Sequence, residues 1–473
     1  MSSDIIPPVW AAQRMVIMAH TKNMTEGKPF PIILAYFVPV LCSTLCQQLY
    51  SIIDTIVVGK GIDDMALAAV GATGSITFFI FGFIMGLGSG MAVLMAQAYG
   101  SGNYERLRKT ITMGMISCGA VGLVIMVVSI AFMRPLLLLL NTSPTILDDA
   151  LLYITMILAG IPLMLAYNCL SAILSALGDS RTPLIAVLIS SVINIFLDVL
   201  FIMGFHMGVE GAALGTLIAQ TCSGVFCFFK VRTITFIRLQ KSDWSIDASL
   251  ILEEFRVGIP VAFMNSVTAV GCLLLQYFVN LLGVNYTAAY SACSRIAEFM
   301  MQPCGAAGMT MSTYAGQNLG AGKIDRIKEG LKCSFWIAVA LALITGCLLL
   351  FAPRQLASMM LSDRQNIELA VGYLRICGAM MWSISFLFLT RNTCQGMGFT
   401  MIPMVSGFLE LAARVVVVIW LTPYLGYTAI AIAEVSAWTS ALLLNGSYLL
   451  VKLKQLYHKE GIVLEKVSEK QVV

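Results

Sequence analysis

The stretch AQAYGSGNYERLRK (96–109) recurs 220 positions later as GQNLGAGKIDRIK (316–328). The same offset carries Gly178 onto Gly398 and Pro183 onto Pro403. Four residues of the quoted stretch keep their identity in the second copy: Gln97, Gly100, Gly102 and Arg106 become Gln317, Gly320, Gly322 and Arg326. One offset that holds over so long a distance indicates that the chain consists of a duplicated unit.

The composition places both copies in a membrane. Hydrophobic residues make up 59% of the 473 residues and charged residues 11%, and the mean hydropathy is +0.87, whereas soluble domains carry about 25% charged residues. Apolar runs of about 20 residues are long enough to cross about 30 Å of hydrocarbon. Twelve helices are predicted from such runs, near 31–58, 66–98, 110–131, 146–176, 184–204, 209–231, 256–282, 286–315, 332–352, 370–396, 402–422 and 428–451.

The predicted fold is an all-α integral membrane protein with two six-helix lobes. Because six is an even number, both lobes begin on the same side of the bilayer, so the repeat is parallel and its pseudo-two-fold axis runs along the membrane normal. Of the 29 Lys and Arg residues, 21 fall in segments on the side that holds both termini. The positive-inside rule therefore predicts a multi-pass protein of the cell membrane with both termini in the cytoplasm.

Five segments follow from this organisation. They are a cytoplasmic lead-in (1–30), the N-lobe (31–231), a cytoplasmic inter-lobe linker (232–255), the C-lobe (256–451) and a cytoplasmic tail (452–473). The lead-in lacks the apolar core of a cleaved signal peptide. Translation from either Met1 or Met24 is compatible with the full set of helices.

Several functional classes lack the residues that they require. The net charge of +4 follows from the basic bias of one side, so it indicates no nucleic-acid partner. The 13 cysteines lie mostly in apolar runs and the three histidines are scattered, so no metalloprotease site, cofactor site or catalytic constellation is indicated. No hydrophilic stretch is long enough for the sensing domain of a receptor. We therefore expect a monomer without enzymatic activity or cofactor, whose partners are the bilayer and a small-molecule substrate.

Two carboxylates of the first half stand inside predicted helices without a cation within one turn. They are Asp54 and Asp198, and Asn194 shares the helix face of Asp198 because it lies four residues before it. Counting about 1.5 Å per residue places Asp54, Asp198 and Thr216 within about 12 Å of the outer helix ends. The four polar groups are thus predicted to share one level in the membrane. The duplicated half has Leu274 and Val418 where the two acids would recur.

Such an all-oxygen cluster suits two kinds of coupling ion. Two carboxylates without a cation repel each other when both are ionised, so one of them is expected to carry a proton. Hard oxygen ligands also suit Na⁺, which makes Asp54, Asn194, Asp198 and Thr216 a possible Na⁺ site. A third interpretation is that these residues only stabilise helix packing, although a carboxylate in the bilayer centre costs about 2.5–3.5 kcal/mol.

The second half carries charges of a different pattern. Glu410 and Arg414 are spaced i, i+4 and Arg295 and Glu298 are spaced i, i+3, so both pairs are expected to neutralise themselves. Neither Arg391 nor Glu434 has a partner close in sequence, and Glu434 is expected either to pair between helices or to line a cavity. The candidates for a substrate cavity or for polar contacts of the second lobe are Tyr36 and Gln47 of the first helix with Arg295, Glu298, Glu410, Arg414 and Glu434. Pro39 is a candidate hinge because proline removes a backbone donor from the first helix.

These residues together resemble the multidrug and toxic compound extrusion (MATE) family over most of the chain. Each matching string is modest alone, but their order and spacing are specific. The strings are QQLYSIIDTIVVG (47–59), LAAVGA (67–72), AQAYGSGN (96–103), LSALGDSRTP (174–183), SSVINIFLDVLFI (190–202), GAALGTLIAQ (211–220), GQNLGAG (316–322) and TPYLGYTAIAIAE (422–434).

The resemblance implies a V-shaped pair of lobes around a central cavity that opens to alternate sides. It also implies export of amphipathic, often cationic, organic compounds in exchange for H⁺ or Na⁺, with Asp54, Asn194, Asp198 and Thr216 as the cation site. The alternative from the same superfamily is a flippase for lipid-linked precursors, which lines its cavity with several Arg or Lys residues. Some family members carry acids in the seventh and tenth helices, but 261–282 and 376–396 contain none here.

Overall fold

Nearly every apolar run of the chain forms a helix, because hydrocarbon offers no partners to free backbone N–H and C=O groups. The computed structural model of the protein describes residues 21–62, 64–139 and 142–471. The first half contains α1 (Pro29–Gly61), α2 (Asp64–Gly100), α3 (Tyr104–Leu139), α4 (Leu147–Ala159), α5 (Ile161–Ala176), α6 (Arg181–Asp198) and α7 (Val209–Arg232). The second half contains α8 (Ala248–Leu282), α9 (Val284–Gly320), α10 (Ile324–Phe351), α11 (Pro353–Ser358), α12 (Arg364–Ala379), α13 (Met381–Gly396), α14 (Met401–Leu425) and α15 (Thr428–Gln471).

Two of the predicted spans are bent helix pairs at the same place in each repeat. The α4–α5 pair bends by 45° and the α12–α13 pair by 50°. In the first repeat Gly160 and Pro162 explain the break, since proline clashes with the preceding helical turn. The second break, at Met380, has no proline beside it. Neither bend was predicted from hydropathy.

Within the described residues, the apolar helices account for the predicted twelve spans. Nine helices are long and apolar enough to cross a membrane, and each bent pair adds one more span. The twelfth span is α9, whose sequence is too rich in Gly, Ser, Thr and charged residues to stand out by hydropathy.

Some helix ends differ from the predicted ones. Helix α8 begins at Ala248 rather than near 256, because Asp247 caps it by accepting hydrogen bonds from the N–H groups of Ser249 and Leu250. Helix α15 continues beyond 451 to Gln471. Between α7 and α8 two short 3₁₀ turns fasten the chain to α3, where Arg108 pairs with Asp243 at 3.1 Å. The first twenty residues of the predicted lead-in lie outside the described part of the chain.

The duplication is visible in the backbone. Gly102 and Gly322, which each end one copy of the helix-to-helix turn, have φ angles of 70° and 69°. Gly178 and Gly398 likewise adopt 80° and 83°. An L-residue with a side chain is strained in this left-handed region, so the repeated glycines fix the same turns in both lobes.

The two lobes meet where the C-terminal ends of α2 and α9 cross. A Cβ atom on Gly100 would overlap the backbone of Gln317, and one on Gly320 would overlap the backbone of Gln97. The side chains of the two glutamines bind the opposite lobe, because Gln97 Nε2 donates to Gly396 O at 3.2 Å and Gln317 Nε2 donates to Ala176 O at 2.8 Å. The acceptor carbonyls are themselves 220 residues apart. The contact between the lobes therefore has the symmetry of the repeat.

The N-terminal segment rests on this crossing. The N–H of Met24 donates to Gln317 Oε1 at 2.9 Å, and Met24 O accepts from Arg326 Nη2 at 3.1 Å. Met24 is completely buried, and Lys323 Nζ donates to Thr25 O at 2.9 Å. Residues just before α1 thus tie the first lobe to the repeated motif of the second.

We predict that Gly100→Ala destabilises the protein, because the new methyl group has no space between the crossing helices. The expected loss is about 1–3 kcal/mol, as for other overpacked sites, and thermal unfolding of the detergent-solubilised protein would measure it. Gly119→Ala is the matched control, since a Cβ there meets nothing within 4 Å. Equal melting temperatures for the two variants would contradict the close approach.

Candidate functional site

The four polar residues singled out in the first half come together in the structure. Helix α1 packs against α6, and α6 packs against α7, so Asp54, Asp198 and Thr216 face one another from three helices. Asn194 and Asp198 are completely buried on α6. The spacing argument from sequence therefore located one cluster, which we call the first-lobe cluster (Asp54, Asn194, Asp198 and Thr216).

Direct hydrogen bonds join the members of this cluster. The carboxyl groups of Asp54 and Asp198 lie close enough to interact with each other. The Asn194 amide satisfies both of its neighbours when its nitrogen faces Asp198, because Nδ2 then donates to Oδ2 at 2.6 Å and Oδ1 accepts the N–H of Thr216 at 3.1 Å. Two carboxyl groups this close repel each other when both are ionised.

The backbone around Asp198 is adapted to the cluster. A Cβ atom on Gly215 would overlap Asp198 Oδ1, so only glycine leaves room for the carboxyl group beside α7. Directly after Asp198 the helix widens into a π-helical turn, Val199–Gly204. Such turns occur often at functional sites because they change the register of the following side chains.

Two tyrosines near the cluster were not singled out from the sequence. The hydroxyl of Tyr50 hydrogen-bonds to Thr216, and Tyr153 lies close enough to Asp54 to interact with its charge. The signal for Tyr50 was present, since it stands four residues before Asp54 on α1. Tyr153 comes from α4 and could not be assigned to the cluster without the three-dimensional structure.

The first-lobe cluster leaves one buried acceptor unsatisfied. Asp54 Oδ1 is buried without a hydrogen-bond partner, and buried acceptors in proteins are nearly always paired. Among the side chains that the structure describes, no Lys or Arg forms an ion pair with Asp54 or Asp198. The residues therefore fit a small mobile cation, because they offer oxygen atoms and no fixed positive charge.

The second half holds a buried chain of alternating charges, which we call the second-lobe ladder (Arg391, Glu410, Arg414 and Glu434). Arg391 Nη1 donates to Glu410 Oε1 at 3.0 Å. Glu410 Oε2 lies 3.8 Å from Arg414 Nη1, as the i, i+4 spacing predicted. Arg414 binds Glu434 with two hydrogen bonds of 3.1 Å, and Trp438 Nε1 donates to Glu434 Oε1 at 3.2 Å.

The ladder decides one of the open alternatives. Glu434 pairs between α14 and α15 instead of standing free toward a cavity. Arg391, which had no partner close in sequence, pairs with Glu410 across 19 residues. The two arginines and the two glutamates of the ladder thus all form ion pairs with one another.

The other predicted pair does not form. Arg295 and Glu298 are both exposed, and the structure places no ion pair between these two described side chains. Glu298 Oε1 instead accepts a hydrogen bond from Gln48 Nε2 at 3.4 Å, across the gap between α1 and α9. Gln47 is exposed beside this contact. The i, i+3 spacing was misleading because a residue from the other lobe competes for Glu298.

Tyr36, a candidate for the cavity wall, is buried in this conformation. It is 4% exposed, and its hydroxyl donates to Ser175 O at 3.1 Å near the crossing of the lobes. Pro39 lies inside α1, which continues unbroken through it from Pro29 to Gly61. The structure therefore gives Tyr36 a packing role, and the hinge role of Pro39 stays a prediction.

One buried acid escaped the sequence analysis. Glu254 is 4% exposed, its Oε2 accepts from Ser117 Oγ at 3.0 Å, and its Oε1 has no partner. The predicted start of the seventh span near 256 left this residue in the linker. The Asp247 cap, read as a helix start, is the signal that could have placed it inside the helix.

We predict that Glu434→Gln lowers stability strongly, because it leaves the Arg414 guanidinium buried without its bidentate partner. Breaking a buried pair costs about 3–5 kcal/mol, which thermal unfolding in detergent would measure. Glu298→Gln is the control, since the same change at an exposed position should leave the melting temperature nearly unchanged. Similar decreases in melting temperature in both variants would contradict a specific contribution of the ladder to stability.

Comparison with known proteins agrees with the repeat. The family model MatE matches the chain twice, over residues 39–200 and 260–421. The chain is 26% identical over 356 residues to the probable multidrug resistance protein YoeA of Bacillus subtilis (strain 168), covering 74% of this chain and 76% of YoeA. It is 23% identical to the multidrug export protein MepA of Staphylococcus aureus (strain NCTC 8325 / PS 47), covering 80% of this chain and 85% of MepA.

A solved structure has the same fold. The crystal structure of MATE in complex with MaL6 superposes with a TM-score of 0.87 at 21% identity, over 92% of this chain and 99% of that chain. The fold is that of twelve transmembrane helices in two lobes. Because the two family matches together cover more than half of the sequence, the chain belongs to the MatE family of membrane transporters.

Proposed function

We propose that the protein is an antiporter that exports amphipathic, often cationic, organic molecules in exchange for H⁺ or Na⁺. The relatives YoeA and MepA carry names of multidrug resistance and multidrug export, which supports this substrate class. The cell membrane, with both termini in the cytoplasm, is the proposed location, supported by the basic residues on that side.

The observation that carries the proposal is the first-lobe cluster. It brings two carboxyl groups together with an amide and a hydroxyl, with no ion pair from the described Lys and Arg side chains. Without a bound cation the two carboxylates would repel each other in a poorly hydrated interior. Uptake of H⁺ or Na⁺ removes that repulsion, so occupancy by the ion and the packing of α1, α6 and α7 depend on each other.

Transport then requires the lobes to separate at the basic end. In the described conformation this end is closed by the Gln97–Gly396 and Gln317–Ala176 hydrogen bonds. If the basic end faces the cytoplasm, the closed side is the cytoplasmic one. Opening toward the cytoplasm must break both bonds, which neutral hydrogen bonds allow because each contributes only about 0.5–1.5 kcal/mol net.

The contact between Gln48 and Glu298 supports a polar passage between the lobes. Both side chains remain accessible although they lie well inside long apolar helices. A carboxylate turned toward lipid would be costly, so we infer that Glu298 faces the space between the lobes. A negative group there favours a cationic substrate.

The second-lobe ladder argues against the flippase alternative. A pyrophosphate group needs free Arg or Lys side chains in the cavity. Arg391 and Arg414 are instead buried in ion pairs with Glu410 and Glu434, so they are not available to such a group.

Asp54→Asn and Asp198→Asn are each expected to abolish coupled efflux from reconstituted vesicles while the protein stays folded, because neither amide can exchange a proton or hold Na⁺ as strongly. Efflux of a panel of dyes under separately imposed proton and sodium gradients is the measurement, and it also identifies the coupling ion. Asp149→Asn, at an exposed position, is the control. Normal coupled efflux by either site variant would disprove the proposed function.

Gly215→Ala should impair the same step by a different route. The added methyl group displaces the Asp198 carboxyl group without removing it, so we expect a large loss of ion-driven efflux with a weaker response to the ion. The control is again Gly119→Ala. If Gly215→Ala transports as well as its control, the tight fit of Asp198 against α7 is irrelevant to coupling.

A further inference from the structure

The ion ladder of the second lobe stands at the repeat position of the first-lobe cluster. Asn194 maps onto Arg414 at the offset of 220. Thr216 maps onto Glu434 when the glycines that precede the two helices, Gly208 and Gly426, are aligned, because each residue follows its glycine by eight positions. The two sites therefore occupy equivalent helices, α6 with α7 and α14 with α15.

The side chains also meet in the same way. In the first lobe the amide group of Asn194 lies 3.3 Å from Thr216 Oγ1. In the second lobe Arg414 Nε lies 3.1 Å from Glu434 Oε2. The same contact between equivalent helices thus occurs in both lobes. In the first lobe it joins neutral groups, and in the second lobe it joins charged groups.

The guanidinium fills the part of the second site that faces α8, the counterpart of α1. A Cβ atom on Gly271 would lie 2.9 Å from Arg414 Nη1. Leu274, which replaces Asp54, follows Gly271 by three residues and so stands about one turn away. Arg414 Nη1 has no hydrogen-bond partner and only a long 3.8 Å approach to Glu410. A positive group therefore stands between three helices where the first lobe has its two acids.

We propose that the Arg414 guanidinium is a tethered cation, which permanently occupies the second lobe's copy of the cation site. The ladder contains two positive and two negative side chains and is neutral without any bound ion. The first-lobe cluster has two acids and reaches neutrality only with mobile cations. Resting on the proposed function, this inference restricts ion coupling to the first lobe. It also assigns a latent site for a monovalent cation to Glu410 and Glu434, which Arg414 keeps closed.

The groups around the latent site define what an entering ion would meet. Glu434 and Glu410 supply carboxylate oxygens, and Arg391 remains paired with Glu410. Cys272 of α8 and Tyr290 of α9 lie within range of the Glu434 charge, and Trp438 donates to its Oε1. Removing Arg414 leaves one negative charge in excess, which one H⁺ or Na⁺ neutralises.

The test compares cation-dependent stability in a background without the first-lobe acids. In the parent protein, a lower pH, or Na⁺ in place of choline at equal ionic strength, is expected to raise the melting temperature. The Asp54→Asn/Asp198→Asn double variant should lose this rise. Adding Arg414→Gln should restore a response to Na⁺ or H⁺, because binding to the folded state alone raises its stability. Adding Glu434→Gln to that variant should remove the response again, and Arg414→Lys in place of Arg414→Gln should produce none.

The outcomes separate the two proposals. A parent protein without any response would count against the coupling site of the first lobe, and the effect of Arg414→Gln would still decide the latent site. A folded Arg414→Gln variant without a response would overturn the tethered cation. If that variant does not fold, the Asp54→Asn/Asp198→Asn protein decides the matter, since a remaining response would show that the second lobe already binds a mobile cation.

Discussion

The crossing of α2 and α9 joins the two lobes through a contact that has the symmetry of the repeat. At Gly100 and Gly320 the backbones touch without intervening side chains, and the neighbouring glutamines bond to carbonyl groups of the opposite lobe. Because duplication produced both halves of this contact, each lobe donates one glutamine hydrogen bond to the other lobe and accepts one from it. Such a reciprocal interface fixes the relative orientation of the lobes with few groups. It also explains why the repeated motif is the most evident one in the sequence.

The two lobes share one helix arrangement, but their buried charged groups are paired differently. The first lobe keeps two carboxyl groups that form no ion pair with the described Lys and Arg side chains. The second lobe contains a closed set of ion pairs, in which each carboxylate meets a guanidinium of the same lobe. Buried pairs of this kind contribute little net stability compared with well-packed apolar residues. Their effect here is to link α13, α14 and α15.

Much of this could be predicted from local sequence, and the remainder depends on contacts between distant residues. Hydropathy gave the twelve spans and helical spacing gave the first-lobe cluster, since both depend on residues within a few turns. The bend at Gly160 has a local cause in Pro162, but that at Met380 has none. The Arg391–Glu410 pair and the Gln48–Glu298 contact join different helices, so spacing could not find them, and it wrongly suggested Arg295 for Glu298. Spacing could not find the contact of Tyr36 with Ser175 either, because the two residues lie 139 positions apart.

The composition of α9 has a consequence for how the protein is made. This helix carries Arg295 and Glu298 and lacks the apolar character of its neighbours, and a charged residue at the centre of a helix opposes insertion by about 2.5–3.5 kcal/mol. We expect that it enters the bilayer only with helices that already reside there. Three of its partners, α1, α2 and α8, precede it in the chain, whereas α10, α12 and α13 follow it. Synthesis from the N-terminus therefore supplies a prepared surface before the least hydrophobic span emerges from the ribosome.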